Sequence, residues 1–328
     1  MVRAGTPVAG YDDVIVVAGA MFRTGAPGKV KTFLQSDGFS GYTGTPCPKD
    51  KARAAMDGPR FGVRRRAQTK DDGAEGVPAS YWTLENLKKH VHQAVLHYDA
   101  CGTAERCFNV LHHERGLSCH FIIDVDGTIY QTLDCRERAW HATTSNDASI
   151  GIEISNVGAV RADGRGSPTN LLDTYYRTDA DGNVALATHP NHRPARPAPV
   201  EARIHDQDLR MYDFTQDQYE ALSHLLATLS AVLPRIRLRY PTERHLDATR
   251  GGPSPESPLR ACVPADDDAR AGGTDDDDDD DDDDDERNPP AASTKLPDTV
   301  LASFEGILGH LHVRRELRLL WSRGAKTS

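Results

Sequence analysis

Residues 94–156 read AVLHYDACGTAERCFNVLHHERGLSCHFIIDVDGTIYQTLDCRERAWHATTSNDASIGIEISN, and this stretch decides the fold. Its first piece, Ala94-Val95-Leu96-His97-Tyr98-Asp99, is a short apolar run ending on polar groups. A buried strand delivers side chains to a sheet edge in this way. Gly102-Thr103 opens a helix with Thr103 as its N-cap. Ala104, Cys107, Phe108 and Leu111 then recur at i, i+3, i+4 and i+7, one apolar stripe. Gly116 suits the left-handed position that closes such a helix. A hairpin follows, with Cys119–Ile123 and Ile129–Leu133 flanking the turn pair Asp126-Gly127. In Ile150-Gly151-Ile152-Glu153-Ile154-Ser155 the isoleucines alternate onto one face and Glu153 onto the other. A carboxylate on the second face of an apolar strand points to a pocket there.

Outward from this stretch, residues 12–35 read as a peripheral hairpin, Val14–Ala18 against Val30–Leu34. Residues 36–80 are rich in Gly, Pro and charge and read as loop. Tyr81-Trp82-Thr83 leads into a helix expected over Leu84–His92. Residues 157–213 read as an irregular surface insertion with a turn at Asp181-Gly182. A helix is expected from Gln216 to about Leu233, started by a Thr215/Gln218 capping box and a Phe214/Tyr219 staple. Its expected buried face is Tyr219, Leu222, Leu226, Leu229 and Leu233, and Pro234 ends it. Residues 241–298 read as a disordered acidic linker, because Pro, Ser, Gly and the Asp run bury too little apolar surface to offset ordering entropy. Apolar sequence resumes at Phe304–Val313 as a short strand ending on histidines.

The net charge of −10 is misleading, since the eleven aspartates Asp275–Asp285 leave the rest near neutral. A nucleic-acid binder needs a basic face, which this balance does not provide. No apolar run is long enough to span a membrane. Arg3 is followed by no apolar signal segment, so the cytoplasm is the expected compartment. Six cysteines form no C-x-x-C pair and are expected as reduced, buried small hydrophobes.

Five ordered words carry a family resemblance: Leu96-His97-Tyr98, Ser118-Cys119-His120-Phe121, Asp126-Gly127-Thr128-Ile129-Tyr130-Gln131, Arg138-Ala139-Trp140-His141-Ala142, and Ser149-Ile150-Gly151-Ile152-Glu153. The chain resembles the zinc-dependent N-acetylmuramoyl-L-alanine amidases of type 2, whose fold is shared with peptidoglycan recognition proteins. The resemblance implies an α/β fold, a mixed central β-sheet flanked by helices, with the site at the strand ends. On that reading residues 1–80 are a peripheral segment, 81–240 the amidase-like domain with its insertion, 241–298 the linker, and 299–328 the last core strand and a tail.

Amide hydrolysis at neutral pH needs activated water, a polarised carbonyl and a proton shuttle. Zinc on three protein ligands with an open position supplies the first two, and a carboxylate the third. By resemblance, His97 and His310 carry over as metal ligands for Zn²⁺ and Glu153 as the catalytic carboxylate. Trp140 and His141 carry over as the substrate wall, Trp140 offering a flat face and His141 a hydrogen bond to the scissile amide. The substrate implied is peptidoglycan or its muropeptide fragments, cut between N-acetylmuramic acid and L-alanine. His312 is a rival neighbour for His97, and His245 a weaker one because its flanks are not strand-like. His120 and Tyr130 read as packing or supporting residues. A Cys119–His120 nucleophile pair is disfavoured, because adjacent strand residues face opposite ways.

After Val313 the chain departs from the family, which continues with a Lys, an Asp that is the third zinc ligand, and a Pro-Gly turn. This chain reads Arg314-Arg315-Glu316-Leu317-Arg318 instead, and the third ligand stays unassigned. Two further readings follow: a muropeptide-binding module of the same fold, and an unrelated zinc hydrolase built on His245 and Asp247.

Overall fold

In the computed structural model the described residues are 13–26, 29–43, 60–65, 78–163, 171–246 and 294–314. A six-stranded mixed sheet forms the centre, flanked by helices. Its strands run in the order Gly306–Gly309, Gln93–Tyr98, Ser149–Ile154, Phe121–Ile123, Ile129–Gln131, Val30–Thr32. All neighbours are parallel except the hairpin Phe121–Ile123/Ile129–Gln131. Burial on both faces suits the Val- and Ile-rich composition of the inner strands. Every residue of Ser149–Ile154 is buried, with Gly127 at φ 79° turning the neighbouring hairpin.

Helices cover both faces. On one, Ile150, Ile152 and Ile154 pack in the same cluster as Ala221, Leu225 and Leu229 of the helix Gln216–Val232. Leu225 and Leu229 are fully buried, each stabilising the fold by about 1.5–3 kcal/mol. On the other, Ile122 packs with Ala104 and Cys107 of the helix Ala104–Phe108. Thr103 caps that helix through the N–H of Arg106, as its sequence requires. The chain then widens into a π-helical stretch, Asn109–Arg115, closed by Gly116 at φ 62°.

The N-terminal segment departs from the expected hairpin. Val14–Val17 pairs with Ala20–Arg23, while Val30–Thr32 joins the central sheet parallel to Ile129–Gln131. Within the stretch read as loop, Phe61–Val63 pairs with Glu137–Ala139. The first helix stops at His90, two residues early. The segment expected to be irregular, 157–213, holds regular structure among its described residues. Val160–Arg161, Val200–Ile204 and Gln207–Met211 form a three-stranded sheet, and Tyr176–Thr178 pairs with Val184–Leu186. Such strands of two to five residues leave little periodicity in a sequence. Within the segment 241–298 read as a linker, Glu243–Leu246 form a helical turn, Leu296 is buried, and the helix Asp298–Ser303 begins at its last residue. The Asp run Asp275–Asp285, Cys47, Cys262, Asp247 and Glu316 lie outside the described residues. Cys107, Cys119 and Cys135 are buried free thiols. Among the described residues no helix is long and apolar enough to cross a membrane.

The long helix starts on the capping box read from the sequence. Thr215 Oγ1 accepts from the N–H of Gln218 at 3.1 Å, and Gln218 Oε1 accepts from the N–H of Thr215 at 3.0 Å. Thr215 also donates to the carbonyl of Val125 at 2.8 Å, and Gln218 to that of Ser155 at 2.8 Å, tying the helix start to the sheet. Of the expected buried face, Leu226, Leu229 and Leu233 are buried and Leu222 packs against the core; only Tyr219 departs from it. Ala221, Leu225, Leu226, Leu229 and Val232 point inward, while Tyr219 is 37% exposed and donates its hydroxyl to Asp213 at 2.6 Å. Replacing Thr215 by Ala removes the cap and strands a carbonyl. The expected loss is about 1–2 kcal/mol, read as a lower urea midpoint at unchanged slope.

Candidate functional site

Three parallel strands end together, and their register sets the site. His97 lies opposite Glu153, and Leu96 lies opposite both Ile152 and Gly309. The residue after Gly309 is His310, which begins the short helix His310–Val313. It therefore stands beside His97, with ring centroids 4.6 Å apart. The histidines of the last apolar word sit on this turn just beyond the strand. His312 is not the neighbour of His97; its Nδ1 accepts from the N–H of Gly309 at 2.9 Å. His245 packs edge-on against Phe304 at 5.4 Å and binds Thr242 through Nδ1.

The other side chains converge on His97. Glu153 Oε1 is 3.9 Å from His97 Nδ1, and His141 Nδ1 is 3.1 Å from His97 Nε2. His141 Nε2 lies 3.2 Å from Ser149 Oγ. Both ring nitrogens of His141 thus face protein atoms, whereas the sequence placed one of them toward substrate. Gly151 makes room for this ring, because a Cβ there would lie 2.6 Å from His141 Cγ. Trp140 is half-buried, with its backbone N–H donating to Ser118 Oγ at 2.9 Å and its carbonyl accepting from Ser118 at 3.3 Å.

Burial sets the charge state here. It pushes the Glu153 carboxyl well above its ordinary range, reinforced by Asp99 and opposed by Arg115. It pushes His97 and His141 well down, reinforced by the neighbouring imidazoles. His310 is lowered by burial and by Arg314. The imidazoles are therefore neutral at pH 7, the form that ligates a metal.

Sequence reading missed the frame behind these groups. Arg64 is fully buried and donates to the carbonyls of Cys135, Asn146, Asp147 and Ser149 at 2.9–3.2 Å. Burial lowers its pKa to about 10. In the sequence it stands in the run Arg64-Arg65-Arg66, which resembles a solvated surface. Asp99 is also buried, and its Oδ1 accepts from the N–H groups of Cys101, Gly102 and Asn156 at 2.8–3.0 Å. It fixes the chain just beyond the His97 and Glu153 strands. Burial raises this carboxyl to about 6, against those three N–H bonds.

His120 supports the site, as expected, and its tautomer follows from its partners. Gly151 N–H donates to His120 Nδ1 at 3.0 Å, so the proton sits on Nε2 and donates to the carbonyl of Glu137 at 3.0 Å. Arg64 Nη2, 3.1 Å from the same Nε2, adds a second obstacle to charging the ring.

The donor chemistry suits a borderline cation such as Zn²⁺, with neutral imidazoles gathered at strand ends and a carboxylate beside them. Among the described residues, no three His, Cys, Asp or Glu side chains stand in place as a finished metal site.

The N-acetylmuramoyl-L-alanine amidase family model matches residues 87–251, about half of the chain. The chain belongs to this family. The amidase match includes His97, His141, Glu153 and His245 and stops before His310, which geometry alone brings to the site. A solved structure of the N-acetylmuramyl-L-alanine amidase AmiD from E. coli, in complex with the substrate anhydro-N-acetylmuramic acid-L-Ala-D-gamma-Glu-L-Lys, is 17% identical. The match covers 52% of this chain and 51% of that one, with a TM-score of 0.25. The chain thus spans about half the length of that relative. No curated protein matches the chain.

Burial, followed by Arg64, depresses the pKa of His120 from 6.5 to about 3. The unfolded chain therefore binds a proton there that the folded chain refuses. Stability from this group is intact above pH 6.5 and falls as pH drops through the window to about 3, by about 1.4 kcal/mol per unit. Urea unfolding at pH 7, 6 and 5 should show that slope in the wild type and a shallower one in His120→Gln.

Proposed function

We propose that this chain is a zinc-dependent amidase. It hydrolyses the amide between N-acetylmuramic acid and L-alanine in peptidoglycan or its fragments. The observation that carries the reading is the meeting of His97, Glu153 and His310 at three adjacent strand ends, within a chain of the N-acetylmuramoyl-L-alanine amidase family. His97 and His310 would hold the metal. Zinc, when bound, supplies Lewis acidity at the carbonyl and makes water acidic enough to attack at neutral pH.

The remaining work falls to the chain. Glu153, held beside His97, takes the proton from the attacking water and passes it to the departing alanine amine. Arg115 favours the ionised form that begins this transfer, while Asp99 favours the protonated form that completes it. Trp140 offers an apolar face for sugar or peptide. The competing reading is a muropeptide-binding module of the same fold, and the missing finished three-donor site among the described residues favours it.

Zinc analysis of the purified protein separates the two. One zinc per chain in the wild type, lost in His97→Ala and in His310→Ala, is the expected result. Glu153→Gln should keep the metal and lose about 10²–10⁴-fold in muropeptide cleavage. A folded wild type without zinc that still binds muropeptide would establish the binding module instead.

A further inference from the structure

We infer that His205, at the tip of the hairpin Val200–Ile204/Gln207–Met211, is a positioning residue that straps down the turn carrying His310. The inference rests on the reading above that places His310 at the functional site, and it gives the segment 157–213 a part in that site.

The turn of this hairpin is costly for the residues it uses. His205 and Asp206 join Ile204 to its partner Gln207, both with positive φ, 47° and 60°. Asn and Gly take such a two-residue turn at least cost. A side chain strains this left-handed region, so turn geometry alone does not account for the imidazole. The burial pattern agrees. Glu201, Ala202 and Arg203 are exposed along the arm, whereas His205 beyond them is half-buried. An arm that stands in solvent along its length and is covered at its tip is docked by the tip.

The contact is specific. His205 Nε2 lies 3.0 Å from the carbonyl of Leu311, in the turn His310–Val313. A carbonyl only accepts, so Nε2 carries a proton and donates it. The other ring nitrogen, Nδ1, is buried with no hydrogen-bond partner among the described residues. Three more bonds shape the turn. Gly309 N–H donates to His312 Nδ1 at 2.9 Å, Arg314 N–H to the carbonyl of His310 at 3.1 Å, and Leu296 N–H to the carbonyl of His312 at 2.9 Å. All three join residues of the one segment 294–314, so they shape the turn without fixing its place. The His205 bond ties it to another part of the fold. Gln207–Met211 pairs with Val160–Arg161, which follows the Glu153 strand in the chain. The hairpin thus links the chain leaving Glu153 to the turn that sets His310 beside His97.

The test follows amide hydrogen exchange in the full chain. His205→Asn suits the left-handed turn, but its shorter side chain stops short of Leu311. It should speed exchange of the Leu296, Gly309 and Arg314 N–H groups about 3–10-fold, the effect of losing one hydrogen bond, and leave Ile150 and Ile152 unchanged. It should also weaken the nuclear Overhauser contact between the rings of His97 and His310. His205→Gln, whose side-chain amide reaches as far as Nε2, should restore both readings. A role confined to the hairpin predicts no loss in His205→Asn. Unchanged exchange in His205→Asn, or exchange raised equally in His205→Gln, would overturn the inference, whatever the chain does to muropeptide. The expected pattern in a chain that neither cleaves nor binds muropeptide would overturn the amidase reading and leave the strap in place.

Discussion

The structure depends on the parallel pairing of three strands whose C-terminal ends lie level. Gln93–Tyr98 is held between Ser149–Ile154 and Gly306–Gly309 by backbone hydrogen bonds on both sides. Those bonds must form, because buried peptide groups without partners are costly. Once they form, register leaves little choice. His97 faces Glu153 across one ladder, and His310 follows at the end of the other. Side chains far apart in the sequence thus meet without any of them having to attract another. The site is a consequence of backbone pairing, and its charge states are a consequence of burial.

A frame of unusual polarity maintains that register. Arg64 brings a cation into the protein with four carbonyls as its partners. One of them belongs to Ser149, the first residue of the Glu153 strand. His120 holds the N–H of Gly151 two residues further on. The strand that carries Glu153 is therefore pinned from the N-terminal segment and from the hairpin. Below it, Asp99 gathers three N–H groups where the chain turns away from the sheet. Buried polar groups of this kind rigidify when fully paired.

Much of this was legible in the sequence, and the reasons are specific. The alternation in Ile150–Ser155 gave a strand with Glu153 opposite the isoleucines, and Thr215 with Gln218 announced the helix start. Both are local signals, readable within a few residues. Val30–Thr32 was misassigned because its partner, Ile129–Gln131, is nearly a hundred positions away, and no local pattern marks a parallel pairing. Arg64 was invisible for the same reason, since a buried arginine differs from a solvated one only in what surrounds it. His97, Glu153 and His310 stood out through the company of neighbouring words, and the sequence left open which of His310, His312 and His245 would reach His97. On the face of Gln216–Val232, Leu226 and Leu229 are buried as their spacing predicts, while Tyr219 stays at the surface because its hydroxyl finds Asp213.

Among the described residues the Gly306–Gly309 strand has a sheet neighbour on one side only, and it follows its partner by some two hundred residues. An edge strand of four residues holds fewer interactions than the core it borders. It can detach at a free-energy cost below that of unfolding the whole domain. On that argument the sheet interior, with His97, His141 and Glu153, would form the more stable unit, and the segment that carries His310 the less stable one. Hydrogen exchange in Ile307 and Leu308 would then be faster than in Ile150 and Ile152, and a cation held by His310 would slow it by tying the edge to the interior.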